Sequence, residues 1–83
     1  MNDCNLIFEK VGDINSLYPY ICVYMIGEKN PFMDISVTDE KKLALTFYAN
    51  EKDVSLSAEQ WDEIARRGRD FLAKALADED SSF

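Results

Sequence analysis

Histidine is absent from this chain, and the reaction classes that rely on an imidazole base near neutral pH lose their proton carrier with it. Cysteine is scarce: Cys4 and Cys22 stand alone without a CxxC spacing, so neither a zinc site nor a disulfide scaffold is indicated and buried free thiols are expected. Glycine is scarce too. Gly12, Gly27 and Gly68 are isolated, which leaves no G-x-x-x-x-G-K or G-x-G-x-x-G loop to cradle a phosphate. Long apolar runs are missing, because acids or lysines interrupt every stretch before about 18 residues accumulate. The opening residues MNDCNLIFEK also lack the basic and apolar regions of a signal peptide, so cytoplasmic residence without a membrane partner is expected. Acid pairs do occur at Asp39-Glu40 and Asp62-Glu63, but in a charged turn and on a solvated helix face such pairs solubilise rather than catalyse. No enzyme activity is expected, and no catalytic residue, cofactor or metal is assigned.

What is present is a folded domain. The 83 residues are 47% apolar and 30% charged, outside the weakly apolar, highly charged regime of disordered chains. At this length one core is the limit, burying roughly 60% of the unfolded surface. Acids outnumber bases to give a formal charge of −7, which repels nucleic-acid phosphates and anionic lipid headgroups and favours a basic protein partner.

Patterning predicts four strands and a helix. Residues 4–11 are rich in β-formers and end at Gly12-Asp13, a turn pair. The stretch 18–27, YPYICVYMIG, is the most β-prone of all and closes at Glu28-Lys29-Asn30-Pro31. In 32–38 the residues Met33, Ile35 and Val37 alternate with Asp34, Ser36 and Thr38. Across a charged Asp39–Lys42 hairpin loop, 43–49 repeats this, with Leu43, Leu45, Phe47 and Ala49 against Ala44, Thr46 and Tyr48. Ser57 and Gln60 fit a capping box for a helix over 58–77, whose apolar stripe runs through Trp61, Ile64, Ala65, Gly68, Phe71, Leu72, Ala75 and Leu76. Gly68 lies within that stripe, where a missing side chain allows close approach to the sheet or room for a large ring. The acidic residues 78–83 are expected to fray. The expected fold is α+β: a four-stranded antiparallel meander with one C-terminal amphipathic helix on one face, ββββα, in a single domain over 1–77.

One helix covers one face, so the other carries the function. With Met33, Ile35, Val37, Leu43, Leu45 and Phe47 towards the helix, the residues Phe32, Asp34, Ser36, Ala44, Thr46 and Tyr48 point away. Placing Ile21, Val23 and Met25 inside puts Tyr18, Tyr20, Cys22, Tyr24 and Ile26 on the same open face. An aromatic surface of this kind fits a protein interface; the alternative is that strand curvature and the 12–17 segment cover the rings. Leu45, Phe47, Trp61, Ile64 and Leu72 are expected in the core, each truncation costing about 2 to 5 kcal/mol. Arg66, Arg67 and Arg69 form the one basic cluster, in a helix with as many acids as bases. The strand order resembles one half of the single-strand-binding transcription coactivator and Whirly-type folds, but without their Lys-rich motifs and basic sheet surfaces.

In size, acidity, lack of histidine and architecture the chain resembles the small immunity proteins that neutralise bacterial toxins, including those of contact-dependent growth inhibition systems. That resemblance implies a stoichiometric inhibitor of a basic toxin, of nuclease type, acting by occluding its active site or substrate groove. On this chain the anchors are then Tyr20, Tyr24 and Tyr48, and the steering acids Asp34, Asp39, Glu40, Glu51 and Asp53, with Glu28 nearby. The rival expectation is a homodimer, a self-associating module paired through the tyrosine face or an edge strand.

Overall fold

The computed structural model describes residues 5–12, 18–49 and 53–80, with 78–80 as helix backbone. Strands β1 (Leu6–Val11), β2 (Tyr20–Met25), β3 (Met33–Val37) and β4 (Leu43–Phe47) precede the helix α1 (Ala58–Asp80). They form one antiparallel sheet in the order β1-β2-β3-β4, a meander, so the ββββα reading of the sequence stands. The helix continues to Asp80, past the expected end at residue 77. Among the described residues no helix is long and apolar enough to cross a membrane.

Local chemistry sets the start of α1 and the β3–β4 turn. Ser57 Oγ accepts from the Gln60 amide at 3.0 Å and Gln60 Oε1 accepts from the Ser57 amide at 2.9 Å, the reciprocal capping box that starts α1. The β3–β4 hairpin closes through the Thr38 amide on the Lys42 carbonyl and the Lys41 amide on the Thr38 carbonyl, both 2.8 Å. This geometry forces Lys41 to a left-handed φ of 67°, which costs a side-chain-bearing residue about 1 to 2 kcal/mol. Lys41→Gly is therefore expected to stabilise the domain by about 0.5 to 1 kcal/mol, after allowing for the freer unfolded glycine, in urea titrations of the two proteins.

Register decides the faces. Ile21 pairs with Ile35, Val23 with Met33 and Ile35 with Leu45, and directly opposed residues share a face. Strand β2 thus turns Ile21, Val23 and Met25 to the helix, as the sequence implies. The core centres on Val23, Met33, Ile35, Ile64 and Phe71, with Leu6, Phe8, Ile21, Met25, Val37, Leu43, Leu45 and Leu56 packed around them. Gly68 permits close approach rather than accommodating a ring: a Cβ built there would lie 3.1 Å from Leu43 Cδ2 and 3.6 Å from Ile35 Cγ2.

Several expected positions change. Phe32 is buried in the core cluster instead of lying on the open face. Its amide donates to the Val23 carbonyl at 3.0 Å, and Met33 pairs with that same Val23, so two residues oppose one and the alternation breaks at a bulge. Tyr18 is also buried, and it precedes β2, where the pleat's alternation does not yet hold. Conversely Phe47 is 52% and Trp61 42% exposed, outside the core. Their rings stack with centroids 6.4 Å apart, at the margin where the first turn of α1 meets the end of β4. Leu45 and Leu72 are half-buried, and Ile64 alone of those five is completely enclosed.

The solvent side of α1 carries one shared carboxylate. Glu63 accepts from Arg66 Nη2 at 2.7 Å and from Arg67 Nε at 2.6 Å, and Arg66 reaches Asp70 at 3.4 Å. Those two guanidiniums hold the Glu63 carboxyl below its ordinary pKa, Arg67 foremost. Arg67 also lies over the Phe8 ring, 4.2 Å from its centroid.

Candidate functional site: the open sheet face

Alternation places Ile7, Glu9 and Val11 of β1 on the face away from the helix, and the register lines them up with the tyrosines. Glu9 is opposite Cys22, which is opposite Asp34, which is opposite Thr46. On one side of this row Val11 pairs with Tyr20 and Ser36 with Ala44; on the other, Ile7 pairs with Tyr24 and Tyr48 follows the end of β4. The tyrosines thus frame a central row with a carboxylate on each side of a cysteine. Roughly 10 Å, two strand spacings, separates the backbones that carry the carboxylates.

Both carboxylates are held in place. The Tyr24 hydroxyl donates to Glu9 Oε1 at 2.7 Å and the Tyr48 hydroxyl donates to Asp34 Oδ2 at 2.6 Å. Each bond raises its phenol. Tyr24 is pushed up to about 12, chiefly by the hydrogen bond to Glu9, while burial and then the bond to Asp34 carry Tyr48 well above the ordinary tyrosine range. Cys22 forms the buried floor between them. Burial first, then the Asp34 and Glu9 charges, push its thiol up against an opposing hydrogen bond with Tyr48.

These shifts predict an alkaline titration. In absorbance measurements Tyr24 and Tyr48 are expected to ionise above the ordinary tyrosine pKa, and Tyr24→Phe should remove one late step. The folded values lie above that of the unfolded chain, about 10, so the stabilisation is complete below about pH 10 and is lost as pH rises through the folded values. A single transition at the ordinary tyrosine pKa would contradict both hydrogen bonds.

The structure brings Tyr20, Tyr24, Tyr48 and Asp34 onto one face and separates them from the other expected acids. Asp39 and Glu40 sit exposed in the β3–β4 turn, beyond the Tyr20 end of the sheet. Asp53 is exposed ahead of α1, and Glu51 lies outside the described residues. Residues 13–17, proposed to cover the rings, also fall outside the described residues. Glu9 is the site residue that sequence reasoning missed. Its signal was positional, since any antiparallel pairing of β1 with β2 that buries Phe8 sets Glu9 outward beside the tyrosine strand.

Chemically, the face presents flat aromatic area around fixed negative charge. Among the described residues no group of three or more acids or thiols is arranged to hold a metal ion. Exposed apolar residues continue the surface, Ile7 opposite Tyr24 and Ile26 after β2. Comparison with protein-family models, curated proteins and solved structures finds no match to the chain.

Proposed function

We propose that the protein is a stoichiometric inhibitor of the immunity-protein kind, which binds a basic toxin domain of nuclease type through its open sheet face and blocks that domain's active site or substrate groove. The observation that carries this reading is the pair of carboxylates, Glu9 and Asp34, each fixed by a tyrosine hydroxyl within an aromatic surface. Pre-positioned carboxylates bind Arg and Lys side chains without first losing rotamer freedom, and tyrosine rings supply rigid contact area around them. A nuclease groove built for phosphates presents the matching cations, and the charge of −7 steers the encounter. The same carboxylates disfavour the single-stranded nucleic-acid reading, whose aromatic platforms lie in positively charged grooves. Arg66 and Arg67 add to this by being committed to Glu63.

The test is recovery of the tagged protein from its native host through moderate salt, followed by expression of any stoichiometric basic polypeptide alone and together with it. Growth arrest by the partner alone, relieved by co-expression, is the expected result. Recovery of only the protein itself, or of nucleic acid, overturns the reading.

A further inference from the structure

The sheet has two edges, and they are not alike. Strand β1 carries Glu9 and Lys10, and Lys10 falls at the alternation position of Leu6 and Phe8, so a charge sits on the helix side of that edge. Charges so placed are a standard guard against edge-to-edge pairing. Strand β4 reads LALTF, with no charge and no proline.

Among the described residues its outer side has no paired strand, and the backbone groups on that side can be assigned. The Thr38 amide donates to the Lys42 carbonyl and the Tyr48 amide to the Phe32 carbonyl, so the alternation of an antiparallel ladder turns the groups of residues 42, 44, 46 and 48 towards β3. Those of Leu43, Leu45 and Phe47 point to the free edge. Their side chains all lie on the helix face, and the pattern is symmetric about Leu45: apolar, small, apolar, small, apolar.

We propose that β4 pairs antiparallel with β4 of a second copy of the chain, about a twofold axis through Leu45. Leu45 then exchanges backbone hydrogen bonds with its own counterpart, and Leu43 does so with Phe47 at both ends. A twofold contact requires a patch that complements itself, and this strand does in both hydrogen bonding and polarity. The exposed Phe47–Trp61 stack gains a neighbour in Leu43 of the second copy, beside the close approach of Gly68. Charge fits as well. Lys42 falls opposite Tyr48 on the open face, bringing its ammonium to the Asp34 carboxylate that Tyr48 holds. The result is one continuous sheet with both helices on the same side and both tyrosine faces on the other; Glu9 and the tyrosine rings stay open to the partner proposed above, Asp34 is shared with Lys42, and the pairing does not depend on that binding.

Two measurements on the full chain test the pairing, at about 0.15 M salt to screen the mutual repulsion of two acidic copies. Sedimentation across the micromolar range is expected to show a reversible dimer. Amide hydrogen exchange followed residue by residue should show Leu43, Leu45 and Phe47 becoming protected as concentration rises, while Ala44 and Thr46 are protected throughout. Thr46→Lys, at an exposed position, and Lys42→Glu should each weaken the dimer about tenfold or more with unchanged far-ultraviolet dichroism. Both residues lie on the open face, so a dimer formed through that face would respond to them as well, and the exchange of the Leu43, Leu45 and Phe47 amides tells the two contacts apart. A chain that stays monomeric overturns the proposal. So does a dimer in which those three amides still exchange freely, which would place the contact on the tyrosine face, or protection that appears only when a different protein is added.

Discussion

Ile64→Ala is expected to destabilise the protein by about 3 to 5 kcal/mol, a large part of the 5 to 10 kcal/mol typical of so small a domain. Ile64 is completely enclosed, in the same cluster as Val23, Met33, Ile35 and Phe71. Removal of its branched side chain leaves a cavity that two regular elements resist closing, so both the transfer and the cavity costs apply. Trp61→Ala is the control. It deletes more side chain, yet from a ring that is 42% exposed, and is expected to cost no more than about 2 kcal/mol of area and stacking. Urea denaturation of the two variants decides the matter, and an Ile64 variant no weaker than the Trp61 variant would mean that α1 is not seated on the sheet as described.

The combined change Glu9→Gln with Asp34→Asn is expected to lower affinity for a basic partner by about 3 to 5 kcal/mol, on the assumption that both carboxylates meet cations in the complex. The amide side chains retain an oxygen acceptor for the Tyr24 and Tyr48 hydroxyls, so the fold and the ring positions persist while the charge is removed. The loss should appear partly as slower association at low salt, converging towards the parent protein at high salt, and partly as faster dissociation. Tyr24→Ala and Tyr48→Ala should act on dissociation alone. If the neutralised variant still captured the partner at the parent rate and affinity, the open face would not be the contact surface.

Much of this architecture was legible because its signals are local. The alternation in 33–37 and 43–47, the Ser57–Gln60 box and the apolar stripe of α1 depend on neighbours a few residues apart. The face of β2 was inferred correctly although the strand is apolar on both sides, because its tyrosines and its aliphatic residues occupy opposite parities. What escaped is what depends on another strand. Phe32 turns inward because of a carbonyl on Val23, and no periodicity in its own segment encodes that bond. Glu9 escaped because Leu6, Ile7 and Phe8 are consecutive apolar residues, leaving the inward parity of β1 undecided until it is paired. Phe47 and Trp61 do lie on the sides their periods indicate, but a period gives a direction and not the extent of cover. The helix passes over Leu43 at Gly68 and leaves the end of β4 beyond its first turn.

The cation over Phe8 bears on the order in which the sheet comes apart. Helix α1 lies chiefly over β3 and β4, and it meets β1 at the margin, through the Arg67 guanidinium above Phe8 and the core cluster on which Leu6 and Phe8 pack. An edge strand with one neighbour, whose inward residues Leu6 and Phe8 are only partly buried, has a lower opening free energy than a central strand clamped beneath a helix. Native-state exchange should therefore rank β1 below β3, and high salt should widen the gap. Because Glu9 belongs to β1, a protein docking on the open face would secure the very strand that the helix holds least, and a rise in β1 protection would report occupancy from the far side of the domain.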